Sequence, residues 1–488
     1  MQVYEELFVG GKWMPPTADN TIEVVSPHNL AIVGRVPAAV EADVDAAVSA
    51  ARSSFDSGVW SRRPIDERLA VMRRLRDLYA NKVDELVDIQ AHEIGSPITF
   101  SKAVTGPAPL MAFGTFLDNA ERYPWEETRP GVTGLDIIVR REAVGVVAII
   151  VPWNAPQFTL MAKLAPALIS GCSVIVKPSP ETPLDSNLVA ELTVESGIPE
   201  GIVSVLPAGR EIGRYLVSHP GVDKVAFTGS TAAGREIAAV CGEQLKRCSL
   251  ELGGKSAAIV LEDADLAATA AGLQFASLAN SGQACVAQTR ILAPRSRYDE
   301  TVDAVATMMS AQVVGDPFDP RTDIGPMISQ RQQQRVNGYI ALGEREGARV
   351  VVGGTGVVTH LDRGWYVQPT LFADVDNAMR IAREEIFGPV LAVIPYDDED
   401  EAVRIANDSD YGLAGSVWTS DVEHGIDIGR RVRTGTFSVN QYWLDFNAPF
   451  GGFKASGIGR EMGVEGLNAY VEYKSIAPAP AANPDCEC

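Results

Sequence analysis

From about residue 144 onward the chain alternates short apolar runs with longer helix-like stretches, and no other feature restricts its fold as much. The runs AVGVVAIIV, SVIVK, IVSVL and KVAFT read as strands. Between them, FTLMAKLAPALI, PLDSNLVAELTVESG and REIGRYLVSHP place apolar residues at helical spacing. Strands alternating with helices predict βαβ units and a mostly parallel, doubly wound sheet. A second alternation starts near 265 and runs to about 440, with AVIPY, GSVWT and TFSVN as its strands. Upstream, residues from about 40 to 122 read as helices; Pro124 and the Pro130-Gly131 pair break that pattern, and GLDIIVRREAV after them reads as extended. No linker separates the two alternating halves, so the boundary near residues 251–255 rests on the restart of the pattern.

A chain of 488 residues, 46% of them hydrophobic, has material for two or three buried cores and falls in the soluble globular class. Its formal net charge of −21 argues against nucleic acid or an anionic membrane surface as a partner, because both need basic surface. The start, MQVYEELFVGGKW, lacks the basic and apolar regions of a signal peptide. The most apolar run, AVGVVAIIVPW, is much shorter than the roughly 20 residues of a membrane span. A cytoplasmic location is the expectation. Six scattered cysteines (Cys172, Cys241, Cys248, Cys285, Cys486 and Cys488) make no disulfide framework. No Cys/His cluster has metal spacing, and no metal site is expected.

Four segments could carry chemistry. KVAFTGSTAAGREIA joins a strand to a helix through a tight turn holding Gly229 and Gly234, and such a turn lets backbone N–H groups approach a phosphate; taken alone it reads rather as an ordinary strand-to-helix turn. GQACVAQTR sets Cys285 among small residues, where a helix end would lower its pKa, although a buried structural cysteine is commoner. LELGGKS puts Glu251 at a strand end before two glycines, as a general base or as a solvated terminus. VPWNAP places Asn154 after a long apolar strand, as an oxyanion donor or as a turn-forming residue. GGKS is not a phosphate-binding P-loop, since Ser249 stands where that motif needs its first glycine.

Together the segments lose their independence. VPWN, KP at 177–178, FTGSTAAG, LELGGKS, GQACVAQTR, EEIFGPV, YGLAG and PFGGFKASGIGRE stand in the order seen in the NAD(P)-dependent aldehyde dehydrogenase superfamily, and the resemblance runs from FVGGKW to AYVEYKSI. It implies an aldehyde dehydrogenase-like α/β fold with two doubly wound Rossmann-like domains and a small β oligomerisation element. The dinucleotide-binding domain is expected over 1–122 and 144–253, the catalytic domain over 254–454, and the oligomerisation element and tail over 123–143 and 455–488. A strand arm of that kind implies a homodimer or homotetramer.

The resemblance also assigns roles. Cys285 is expected to attack a small-molecule aldehyde as a thiolate, with Asn154 and its own N–H holding the oxyanion. Glu251 is expected to activate water that hydrolyses the thioester, and Lys163 and Glu461 to relay protons, their alternative being a structural ion pair. Trp153, Lys177, Gly209, Gly213, Phe227, Gly229, Ser230, Gly253, Glu385 and Phe387 are the expected cofactor contacts, with NAD preferred and NADP the alternative. In many NAD-preferring members the segment reads K-P-x-E, whereas Pro180 holds the acid's place here, which removes one obstacle to a 2′-phosphate. Glu251 favours a free acid as product over acyl transfer to coenzyme A. Ala155, Ala162, Ala284, Val286, Phe158, Trp443 and Phe446 suggest a roomy apolar tunnel for a medium-sized aliphatic, aromatic or terpenoid aldehyde, without an arginine cluster for a carboxylated one. Two other readings are a cysteine-dependent thioester or ester hydrolase and a non-catalytic dinucleotide-binding protein; intact Cys285, Glu251 and Asn154 weigh against the second.

Overall fold

In the computed structural model of the chain, residues 1–132 and 134–478 are described. The Cys486 and Cys488 tail lies outside them.

The strand Val146–Ile150 is buried at every position, as is Ser173–Lys177. A strand apolar on both faces must be covered on both faces, which is why these runs become the centre of a parallel sheet. That sheet has eight strands, in the order Gly457–Ile458, Arg247–Glu251, Lys224–Thr228, Val146–Ile150, Ser173–Lys177, Val203–Val205, Leu7–Val9, Lys12–Met14. The five central strands are parallel, and the outer ones are antiparallel. From Val146–Ile150 the chain steps outward to Val203–Val205, then returns to lay Lys224–Thr228 on the opposite side of Val146–Ile150. The order therefore reverses between these two strands. The carboxyl end of such a switch point opens a crevice, because the loops leaving the two strands run to opposite faces.

A second sheet, of seven strands, runs Arg349–Val352, Thr370–Ala373, Val390–Tyr396, Arg290–Pro294, Ala257–Val260, Gly415–Trp418, Ser438–Val439, parallel apart from the first pair. Glu126–Pro130, Asp136–Ala143 and Val471–Ile476 form a separate antiparallel sheet of three strands, with Ile138 opposite Ile476 and Ala143 opposite Val471. The expected extended segment and the carboxyl-terminal strand thus meet. Residues between 455 and 470 do not join that arm: Gly457–Ile458 pairs with the end of Arg247–Glu251, and the helix Gly463–Asn468 lies against the helices Pro107–Arg122 and Pro156–Ser170. Short glycine-rich strands gave the sequence reading nothing to separate them from the arm. No helix among the described residues is long and apolar enough to cross a membrane.

Candidate active site

A cavity of about 650 Å³ lies between the carboxyl edge of the first sheet and the amino edge of the second, lined by Trp153, Asn154, Gly229, Ser230, Glu251, Gly253, Cys285, Glu385, Phe387 and Glu461. Glu251 ends a strand of the first sheet, while Cys285 and Glu385 precede strands of the second. Residues spread over more than three hundred positions of sequence converge because the two sheets face each other edge to edge.

The loop that leads to Cys285 is held in an unusual conformation. Asn280, Ser281 and Gly282 have successive φ values of 50°, 60° and 73°, a left-handed run that only tertiary bonds sustain. Asn280 Nδ2 donates to Asn154 O at 2.9 Å, Gly325 N donates to Ser281 Oγ at 2.8 Å, and Ile328 N donates to Gln283 Oε1 at 3.0 Å. Cys285 itself sits in a turn, not at a helix end. Burial, aided by the carboxylates of Glu385 and Glu251, pushes its thiol up to about 12. The expected thiolate made by a helix end is therefore corrected: at rest this group is a thiol, which needs a base. The backbone N–H groups of Cys285 and Val286 lie within reach of the sulfur.

Asn154 Nδ2 donates to Gln283 O at 3.0 Å, which fixes the carboxamide against the loop that carries Cys285. The second N–H of that amide makes no protein hydrogen bond among the described residues. If it serves a developing oxyanion, Asn154→Ala should lower kcat by about 10²–10³-fold, with a much smaller change in KM, in steady-state kinetics.

Glu251 is 3% exposed, and neither carboxylate oxygen has a hydrogen-bond partner among the described residues. Burial raises its pKa well above the usual carboxylate range; Glu461 adds to the rise and Lys163 opposes it. Lys163 Nζ stands 2.6 Å from Glu461 Oε1 and donates to Thr228 Oγ1 at 2.6 Å, with its side chain wholly buried. A buried pair loses far more when one partner is removed than it contributes when intact. Lys163→Met should therefore destabilise the fold by about 3–5 kcal/mol, read as a fall in the midpoint of denaturant unfolding.

Two adjacent glycines set the other wall. A Cβ at Gly253 would lie 2.4 Å from Glu385 Oε2, and one at Gly254 would lie 2.5 Å from Cys285 O. Gly254 N also donates to Glu385 Oε1 at 3.0 Å, and burial brings Glu385 up to about 7. The Phe387 ring meets the Trp153 ring edge-on at 5.3 Å. Ser230 caps the helix Thr231–Glu243 by accepting from Ala233 N at 3.3 Å. The free N–H groups of that helix start are suited to a phosphate.

Lys163, Lys177, Gly209, Gly213 and Phe227 do not line the cavity. Lys163 lies behind Glu461, and Phe227 lies under Gly229. Lys177 Nζ donates to Pro178 O at 2.9 Å, and burial lowers it to about 8. Gly213 abuts its stem, 3.3 Å from Lys177 Cδ to the place a Cβ would take, and Gly209 caps the helix Arg210–Ser218. On the substrate side Ala155, Phe158, Ala284, Val286, Trp443 and Phe446 line the cavity, but Ala162 is buried within its helix and does not. The sequence reading missed Phe100, Met111, Phe275 and Tyr442, which also line it. It missed Arg210, Arg331 and Arg335 as well. Arg335 is bound to the Glu385 carbonyl, and Gln332 Nε2 donates to Phe387 O at 2.7 Å, so this helix supports the Glu385–Phe387 loop. Only the spacing of Arg331, Gln332 and Arg335 along one helix hinted at a shared face. Among the described residues no group of three or more His, Cys, Asp or Glu is placed to hold a metal ion.

Residues 13–476 match the profile of the aldehyde dehydrogenase family. The chain belongs to that family. It is similar to a geranial dehydrogenase of Castellaniella defragrans, 49% identical over 97% of this chain and 98% of that one. A 3-succinoylsemialdehyde-pyridine dehydrogenase of Pseudomonas is 40% identical over 98% and 99%. Among solved structures, a Mycobacterium tuberculosis aldehyde dehydrogenase complexed with NAD+ superposes with a TM-score of 0.96 at 51% identity, covering 98% of this chain and 99% of that one. A mutant aldehyde dehydrogenase C of Pseudomonas syringae, complexed with NAD+ and octanal, gives 0.94 at 38% identity over 98% of both. The aldehyde dehydrogenase fold is therefore the fold of this chain.

Proposed function

We propose that this aldehyde dehydrogenase oxidises a medium-sized apolar aldehyde to its carboxylic acid with NAD+, through a covalent intermediate on Cys285. One observation carries the reading: Glu251, buried and without a hydrogen-bond partner, lines the same cavity as Cys285, whose thiol needs a base. Glu251 takes the thiol proton, and the sulfur attacks the aldehyde carbonyl. The resulting oxyanion is met by the Asn154 amide and the Cys285 N–H. Bound NAD+ supplies the two-electron acceptor. Glu251 passes the thiol proton on, by way of Lys163 and Glu461, and is a base again when water opens the thioester: it takes the water's proton, the hydroxyl joins the acyl carbon, and the Cys285 sulfur leaves with the acid released.

The residues present fit a dinucleotide. Gly253 leaves room that a Cβ would fill beside Glu385, Trp153 and Phe387 form an apolar corner, and Gly229-Ser230 opens a helix amino end. Glu385 and Phe387 would hold the nicotinamide half, Gly229 and Ser230 the phosphates, and Lys177, Gly209 and Gly213 the adenosine half. NAD is favoured over NADP because the loop keeps an acid in spite of Pro180: Ser179 Oγ donates to Glu181, whose charge is felt at Lys177. A carboxylate there opposes a 2′-phosphate.

The substrate class follows from the lining. Phe158 and Phe446 meet at 5.7 Å, and Phe100 and Phe275 at 6.3 Å; Val286, Met111 and Trp443 add further apolar lining. Geranial and octanal, the aldehydes named for two relatives, share that chemistry. A panel of aldehydes with NAD+ or NADP+, followed by absorbance of the reduced cofactor, tests the reading. The expected result is a kcat/KM at least about tenfold higher for eight- to ten-carbon apolar aldehydes than for acetaldehyde or succinic semialdehyde, from apolar burial of the extra methylenes. Equal turnover of all of them overturns the substrate class, and a higher rate with NADP+ overturns the cofactor preference.

Among the described residues the arm sheet leaves the backbone edge of Glu126–Pro130 unpaired, which is best met by a second copy, so a dimer or a pair of dimers is proposed. A cytoplasmic setting is proposed with it, on the four free thiols among the described residues.

A further inference from the structure

The helices Arg210–Ser218 and Thr231–Glu243 pack against each other, and Arg210 and Ser230 at their amino ends both line the cavity. One turn further on, Arg214 Nη2 donates to Glu236 Oε2 at 2.8 Å and so takes up an acid that the second helix presents. Arg210 itself is exposed, and among the described residues its guanidinium makes no hydrogen bond and no ion pair.

A second cation lies on the same side. Arg210 and Gly213 are three residues apart and share a face of their helix. The place a Cβ would take at Gly213 is 3.3 Å from Lys177 Cδ and 3.4 Å from its Cε, so any side chain there would push the lysine away. Lys177 Nζ donates to Pro178 O at 2.9 Å, which occupies one of its donors and leaves the rest of the ammonium free. Pro180 offers no acid at this place, and Glu181 accepts from Ser179 Oγ. One engaged carboxylate thus stands beside two cations that no carboxylate binds.

We propose that Arg210, with Lys177 beside it, receives the 2′-phosphate of NADP+, so that the enzyme takes NADP+ as a second cofactor behind NAD+. The proposal rests on the dinucleotide reading above, which sets Lys177, Gly209 and Gly213 at the adenosine half. The 2′-phosphate is carried on the ribose of that half. A planar guanidinium can give it two parallel N–H bonds, and the ammonium adds a point charge. The 2′-hydroxyl of NAD+ has no charge to meet, so Arg210 serves one cofactor far more than the other.

The test is isothermal titration of the full chain with each cofactor, for the unaltered protein, Arg210→Ala and Arg210→Lys. The unaltered protein should bind NADP+ within about tenfold of NAD+, because two cations offset the repulsion from one carboxylate. Arg210→Ala should weaken NADP+ by about 10–100-fold, the worth of hydrogen bonds to a charged group, and NAD+ by less than about threefold. Arg210→Lys should fall between, keeping the charge without the fork. Salt should weaken NADP+ more steeply than NAD+ on the unaltered chain, a comparison that stands even where a variant folds poorly. NADP+ left unbound while NAD+ binds, NADP+ binding indifferent to Arg210→Ala, or equal weakening of both cofactors through a shared diphosphate contact would each overturn the proposal. Failure of the unaltered protein to bind either cofactor would overturn the dinucleotide reading with it.

Discussion

Replacing Cys285 with alanine is expected to lower aldehyde turnover by at least about 10⁴-fold while leaving NAD+ binding unchanged. No other described thiol lines the cavity, so nothing can take over the covalent step. The loop should keep its shape, because Asn280, Ser281 and Gln283 hold it through their own hydrogen bonds and none of these uses the sulfur. Steady-state rates beside a fluorescence titration of the cofactor separate chemistry from folding. Loss of both turnover and binding would instead assign Cys285 a structural part in the loop.

Glu251→Gln is expected to separate the two halves of the reaction. The amide fills the same space but cannot take a proton from water, so hydrolysis should slow by about 10²–10⁴-fold. Because the Cys285 thiol is also high, the first step slows too, unless bulk base reaches the sulfur. At alkaline pH, where hydroxide substitutes, a rapid-mixing experiment should show a burst of up to one reduced cofactor per subunit followed by a slow steady rate. The pH profile of the unaltered enzyme follows from the same carboxyl. Burial raises the Glu251 pKa, so below that raised value the group is protonated and idle as a base. Activity should rise with pH through it, and that limb should vanish in the Gln variant.

Much of this was legible from the chain. Continuous apolar runs such as VVAII and KVAFT read as central parallel strands, and the loops after them carry Trp153-Asn154 and Gly229-Ser230 to one edge. Glu251 was legible as a carboxylate at a strand end before two glycines, and the structure packs Glu385 and the Cys285 carbonyl against those glycines. Three things were not legible, each because it depends on packing between distant segments. The left-handed run Asn280-Ser281-Gly282 is imposed by bonds to Asn154 and Gly325, which no local propensity predicts. The state of the Cys285 thiol depends on carboxylates from two other segments, so flanking small residues gave the wrong direction. Ala162 has the helical spacing of a lining residue, but its face of the helix turns into the core.

The most direct test of the account is to find the acyl group. Glu251→Gln, mixed with NAD+ and an eight- to ten-carbon aldehyde, is quenched in acid during the burst, digested and mapped by mass spectrometry. The account predicts the acyl mass on the peptide containing Cys285, in proportion to the reduced cofactor released. Reduced cofactor formed in full with Cys285 unmodified, or the acyl group found on another residue, would contradict it.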